Sequence, residues 1–334
     1  MASISVCMIV KNEEAVLARC LDSLQGIADE IVIVDTGSTD RTKEIAAHYT
    51  SRIYDFTWIH DFAAARNFAF SKATKDYIYS ADADEVLEET DRQKFLQLKQ
   101  ALLPEIEIVE MIYVNPEDCN MVYNYIKEPR PKLFKRLREF RWIDPIHETV
   151  ALNPLVYSSD IEIQHRPQSM HSSRDFEAMQ RELKKTGYLS ERLYSMYAKE
   201  LFISGTKSDF EAAASWFEQR TSQATTTEAR TEAICVLAKY YAMEQKQEQL
   251  LSVILNEVAL NPAPAAELFY LLGEYYEALD KLEEAILWYK KAALDAECYV
   301  CVRYGGETAL RQAIRLLNQL ELKEEALRLE HMLE

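Results

Sequence analysis

Residues 76–85, reading Asp-Tyr-Ile-Tyr-Ser-Ala-Asp-Ala-Asp-Glu, constrain this chain more than any other stretch. Tyr77–Ala81 has the composition of a buried strand and runs straight into Asp82, Asp84 and Glu85. A packed core does not hold that much charge unless something cationic joins it. Alternate residues of an extended segment share a face, so Asp82 and Asp84 are expected on one side. Two such carboxylates at a strand end make a hard-cation site, suited to Mn²⁺ or Mg²⁺, with a diphosphate supplying further oxygens. A solvated acidic turn is the plainer use of a bare Asp-x-Asp, and the residues upstream decide between the two.

Upstream, short apolar runs alternate with helical patterns. Ile4–Val10 reads as a strand, followed by a Lys-Asn-Glu-Glu loop and a helix carrying Val16, Leu17, Cys20, Leu21 and Leu24. Glu30–Asp35 is an almost wholly apolar strand ending in an acid, as expected of a buried parallel strand. Ser38 to Asp40 supply caps for a helix with Ile45 and Ala46, residues 52–55 make a third strand, and a helix is expected over 61–73. Such alternation builds a parallel sheet with right-handed crossovers, whose ligands sit at the strand carboxyl ends. Asp35 and the Asp82/Asp84 pair should therefore face one crevice. A carboxylate like Asp35 can accept from a uracil imide or ribose hydroxyls, or it can cap its own turn.

The chain has 334 residues, 48% hydrophobic and 28% charged, enough for two globular domains. Its net charge of −17, spread evenly, argues against a nucleic-acid-binding surface. No apolar run reaches the roughly 18 residues of a membrane span, and the start has no basic region before an apolar block. A cytoplasmic location is expected. The six cysteines are scattered and read as reduced thiols; Cys298 and Cys301 have metal-like spacing but lack a second ligand pair.

Four segments together resemble the family 2 glycosyltransferases of GT-A fold. They are Ser5 to Glu14, the Asp-Glu-Ile-Val-Ile-Val-Asp-Thr-Gly-Ser-Thr-Asp run over 29–40, the Asp-Phe-Ala-Ala-Ala-Arg-Asn run over 61–67, and Ala81 to Glu85. Within that family the chain looks most like bacteriocin S-glycosyltransferases and lipopolysaccharide core glucosyltransferases. The resemblance covers about residues 3–170. It implies a UDP-sugar donor bound by Val10, Asn12, Glu13, Asp35, Gly37, Arg66, Asn67 and Asp82, with Asp82 and Asp84 on the metal that bridges the phosphates.

The following stretch is less regular: an amphipathic helix over 91–103, strand-like runs over 106–114 and 121–126, then a basic stretch from Arg130 to Arg141. That cluster, Arg136 included, can neutralise a diphosphate or guard a strand edge. Next comes Trp142-Ile-Asp-Pro-Ile-His-Glu148. Inverting glycosyl transfer needs one base to take the acceptor proton. Resemblance places the His-Glu pair on the acceptor side, so Glu148 is the expected base, Asp144 the second candidate and His147 a positioning or metal-side group. His165, closing a strand over 161–165, is the candidate third metal ligand or a surface histidine.

From about residue 175 one helix follows another. Phe269, Leu272, Gly273, Tyr276, Ala285, Tyr289 and Ala292 resemble the tetratricopeptide repeat, whose period is about 34 residues. The same offsets begin at Ile234, 35 residues earlier, and weaker copies span 194–220 and 310–330. Stacked pairs of this kind leave a concave surface for a protein or peptide acceptor, or serve as a dimerisation surface or stabilising cap. The expected architecture is a Rossmann-like, mostly parallel α/β GT-A domain over 1–170, followed by an all-α repeat domain over 175–334. The expected activity is inverting hexosyl transfer from a UDP-sugar to a protein or peptide. Cell-envelope glycan synthesis with the same chemistry and a non-catalytic scaffold are the alternatives.

Overall fold

A computed structural model describes residues 1–115, 127–138, 140–147, 149–150, 154–166 and 172–333. They fall into two compact units, Met1–His171 and Ser172–Glu334. Glu148 and the strand-like run 121–126 lie outside the described residues.

The first unit opens as β1 (Ile4–Val10), α1 (Leu17–Ser23), β2 (Glu30–Asp35), α2 (Thr42–Ala46), β3 (Ile53–Asp55), α3 (Phe62–Lys72) and β4 (Tyr77–Ala81). It continues as β5 (Glu85–Val86), α4 (Glu89–Ala101), β6 (Ile108–Val114), β7 (Lys127–Lys135), a small hairpin of β8 (Trp142–Ile143) and β9 (Thr149–Val150), and β10 (Val156–His165). Among the described residues the main sheet has the order β3-β2-β1-β4-β7-β6-β10-β5. β3, β2, β1 and β4 are mutually parallel, and β7 is antiparallel to both β4 and β6.

Alternation along the strands sorts the core into two layers. Ile4, Val6, Met8 and Val10 of β1, with Tyr77, Tyr79 and Ala81 of β4, pack toward Leu17, Leu21 and Phe95 of α1 and α4. Cys7, Val32, Val34 and Ile78 point the other way, toward Ala69 of α3. The small buried Ala63, Ala65 and Ala69 let α3 approach closely, and the Cys7 thiol donates to Ala69 O at 3.6 Å. Asp61 caps α3 by accepting from Ala64 N–H at 2.9 Å.

The second unit is helical throughout: α5 (Ser172–Thr186), α6 (Glu191–Ser204), α7 (Lys207–Gln223), α8 (Thr227–Met243), α9 (Gln247–Leu260), α10 (Ala266–Ala278), α11 (Leu282–Leu294), α12 (Gly306–Gln319) and α13 (Lys323–Glu330). The 35-residue period holds from the start of α9 at Gln247 to that of α11 at Leu282, and from the end of α8 at Met243 to that of α10 at Ala278. Residues 295–305, with a 3-10 turn at Val302–Tyr304, lengthen the next interval. Glu267 anchors that connection, its carboxylate accepting from the N–H groups of Tyr299, Val300 and Cys301. The Cys298–Cys301 segment is thus fastened by an acid, and both thiols are free. No described helix is long and apolar enough to cross a membrane.

Candidate functional site

The carboxyl edge of the parallel strands gathers most of the candidate residues. β1 lies between β2 and β4, with Val10 opposite Asp35 and Met8 opposite Ala81. Asp35 and Asp82 therefore stand at the same edge two strands apart, about 10 Å at the usual strand spacing.

Asp35 is 2% exposed. Its Oδ2 accepts from the N–H groups of Gly37 and Ser38, both at 3.0 Å. Its Oδ1 is buried with no hydrogen-bond partner among the described residues. A buried carboxylate oxygen in that state has lost water without replacing it. Gly37 has φ +103°, which favours glycine, and the space where a Cβ would stand is open. Val10 O accepts from both Thr36 N–H and Thr36 Oγ, at 2.9 and 3.1 Å. Asn12, with φ 57°, accepts at Oδ1 from Thr39 N–H at 2.8 Å, and Glu13 N–H donates to Thr42 Oγ1 at 2.7 Å. Val10, Asn12 and Glu13 thus tie the loop after β1 to the loop after β2, forming one rim.

Asp82 and Asp84 are not presented by strand alternation as expected. The strand stops at Ala81, and Glu85 N–H turns back to Asp82 O at 3.2 Å, so a turn sets their directions. Asp82 Oδ1 pairs with Arg66 at 2.9 Å, and its Oδ2 lies 3.9 Å from Lys132. Burial works against ionisation there, but the Arg66 and Lys132 cations prevail and hold Asp82 well below the usual carboxylate range. Asp84 Oδ2 lies 3.1 Å from His165 Nε2, while His165 Nδ1 lies 3.3 Å from Asn115 Oδ1. Between them Glu85 is 2% exposed and bonded to Lys132 at 2.7 Å. Burial pushes Glu85 up, to about 7, with Asp82 and Asp84 adding to the rise and Lys132 opposing it.

No three His, Cys, Asp or Glu side chains among the described residues form a ready metal cluster. The donor set present is one carboxylate oxygen and one imidazole nitrogen, Asp84 and His165. That pair fits a divalent ion whose remaining positions are filled by phosphate oxygens and water. Asp82 is already engaged by Arg66.

Arg66 also donates to Ser80 Oγ at 3.0 Å and lies over the Trp142 ring at 5.2 Å. It therefore links the acid turn to the hairpin. Asn67 does not face the crevice group: its Nδ2 donates to Trp142 O and its Oδ1 accepts from Trp142 N–H, at 2.9 and 2.8 Å, fastening the hairpin. Asp144 and His147 occupy the hairpin loop in left-handed backbone, φ 69° and 47°. Phe62 N–H donates to Pro145 O, which holds that loop against the start of α3.

Arg136 lies at the opposite end of the sheet. Its N–H donates to Asp76 O and its Nε to Lys75 O at 2.6 Å, before β4 begins. β7 is antiparallel to β4, so the basic stretch divides: Arg130 and Lys132 reach the acid edge, while Lys135, Arg136 and Arg138 end up far from it. Sequence proximity made one cluster of residues that the strand separates. Lys132 is the site residue the sequence reading did not single out; its spacing of two from Arg130 on a strand was the available signal.

In a mostly parallel α/β sheet the carboxyl edge is where ligands bind, and here it carries an unsatisfied buried acid. Residues 5–157 match the model described as "Glycosyl transferase family 2", and this part of the chain is a domain of that family. Among curated proteins, the chain is 35% identical over 151 residues to a TPR repeat-containing protein of Synechococcus elongatus, covering 45% of this chain and 36% of that one. It is 34% identical over 107 residues to the lipopolysaccharide core biosynthesis glycosyltransferase LpsC of Rhizobium meliloti, covering 31% of this chain and 36% of that one. The chain thus spans about a third of the length of these two relatives. Among solved structures, glucosyl-3-phosphoglycerate synthase of Mycobacterium tuberculosis in complex with Mn²⁺ and UDP-glucose is 15% identical, with a TM-score of 0.40 over 57% of this chain and 80% of that one.

Proposed function

We propose that residues 1–170 act as an inverting glycosyltransferase taking its sugar from a UDP-sugar, with residues 175–334 forming a repeat domain that helps hold the acceptor. The observation that carries this reading is the buried Asp35 Oδ1 lacking a partner at the same strand edge as the Asp82–Glu85 turn. Asp35 would accept the uracil imide N–H, a donor suited to an oxygen that has none. Asp82, fixed by Arg66, would face the ribose.

A divalent ion, Mn²⁺ or Mg²⁺, would be held by Asp84 and His165 and would offset negative charge on the departing diphosphate. Asp84 and His165 keep each other oriented before the ion arrives, and Asn115 steadies the outer nitrogen of His165. On the acceptor side Glu148, or Asp144 in its place, takes the proton from the attacking group, with His147 positioning it. Protein or peptide is the proposed acceptor, since stacked helix pairs commonly bind extended segments. A cell-envelope glycan is the second reading, favoured by the name of the Rhizobium relative.

UDP release from UDP-glucose, UDP-galactose and their N-acetylated analogues in the presence of Mn²⁺ tests the proposal. An Asp84→Ala variant is expected to lose about 100-fold or more, the scale of losing a group that stabilises developing charge. Equal rates for the variant and wild type would overturn it.

A further inference from the structure

Among the described residues of the first unit two lysines are buried, and they do different work. Lys99 of α4, 4% exposed, donates to Ile27 O at 2.7 Å and pairs with Asp29 at 2.7 Å. Asp29 in turn accepts from Ile4 N–H, where β1 begins. Lys99 thus fastens α4 to the entry edge of the sheet, remote from the acids.

Lys132 of β7, 5% exposed, sits at the other edge with Nζ 2.7 Å from Glu85 Oε1 and 3.9 Å from Asp82 Oδ2. Glu85 closes the acid turn twice. Its Oε2 accepts from Asp82 N–H and its own N–H donates to Asp82 O, both at 3.2 Å. Glu85 is also the residue opposite His165 in the β5–β10 pairing, and Arg166 N–H donates to Asp84 O at 2.9 Å. One residue therefore closes the turn that carries Asp84 and pairs with the strand position of His165. A carboxylate buried this deeply persists only beside a counter-charge, which Lys132 supplies.

We infer that Lys132 is a positioning residue for the divalent-cation site: by neutralising buried Glu85 it holds the Asp82–Glu85 turn in the form that presents Asp84 alongside His165. The inference rests on the cation-dependent reading of the site proposed above.

The test is Mn²⁺ affinity of the full chain in the presence of UDP, read from the electron paramagnetic resonance of free Mn²⁺, with a thermal melt of each protein. Wild type, Lys132→Met, Glu85→Gln, the double variant and Lys99→Met are compared. Lys132→Met and Glu85→Gln are each expected to weaken Mn²⁺ by about 10–100-fold, as outer groups of metal sites do. The double variant should be no weaker than the worse single, because the two act as one unit. Lys99→Met should lower the melting temperature and leave Mn²⁺ affinity unchanged. Wild-type affinity in Lys132→Met, additive losses in the double variant, or an equal loss in Lys99→Met would overturn the inference. Where Lys132→Met does not fold, Glu85→Gln decides, and wild-type Mn²⁺ affinity in that variant would overturn the inference. Absence of Mn²⁺ binding by wild type would defeat the cation reading itself and this inference with it.

Discussion

At the scale of single residues, the Asn67 amide and the Asp35 carboxylate, both expected to bind the donor, have opposite standing. Asn67 satisfies both of its polar ends on the backbone of Trp142, a scaffold role. Asp35 leaves one buried oxygen unmatched, the mark of a group awaiting a donor. Asn67→Ala should therefore cost about 1–3 kcal/mol of stability, the range for leaving buried backbone groups without partners. Urea denaturation would measure it, and a stability within error of wild type would contradict the assignment. The sequence could not separate these roles, because an amide in a helix beside an arginine looks the same whether it faces ligand or hairpin. The place of Asp35 was legible because it ends an almost wholly apolar strand, but not that one of its oxygens caps the turn while the other stays unmatched.

At the scale of elements, Gly273 of α10 shows how helix pairs set their spacing. A Cβ there would meet three atoms of the Tyr289 ring on α11 at 2.6 to 2.9 Å. The preceding repeat carries Ala238 and Ile254 at the matching offsets, both buried. Gly273→Ala is expected to destabilise by about 1–3 kcal/mol through overpacking. Adding Tyr289→Ile should recover part of that loss in the same chemical denaturation; full wild-type stability for Gly273→Ala would sink the packing account. The strands β1, β2 and β4 were readable as strands because burial on both faces makes continuous apolar runs. The 35-residue repeat was readable where contacting positions recur, and less so at 295–305, where Glu267 organises a connection through backbone N–H groups that leave no side-chain pattern. The division of the basic stretch was hidden for another reason. Charge along a sequence says nothing of which end of an antiparallel strand each residue reaches. The non-glycine left-handed positions among the described residues of the first unit, Asn12, His60, Asp144 and His147, all lie in loops: after β1, before α3 and in the β8–β9 connection.

At the scale of the whole molecule, each compact unit carries its own core, so fragments 1–171 and 172–334 expressed separately should each unfold cooperatively. Circular dichroism melts would check this, and a fragment without a transition would contradict it. The first unit places a family 2 domain's acid edge around an oxygen in need of a donor, and the second stacks helices in a repeating series. The central claim, that this edge grips a uridine diphosphate sugar with the help of a divalent ion, is tested most directly by thermal shift. Ligand that binds the folded state raises the melting temperature. The account expects UDP-sugar with Mn²⁺ to stabilise wild type, less so without the ion, and to leave Asp35→Ala unmoved. A wild-type melting temperature indifferent to every UDP-sugar, or an Asp35→Ala response equal to wild type, would contradict it.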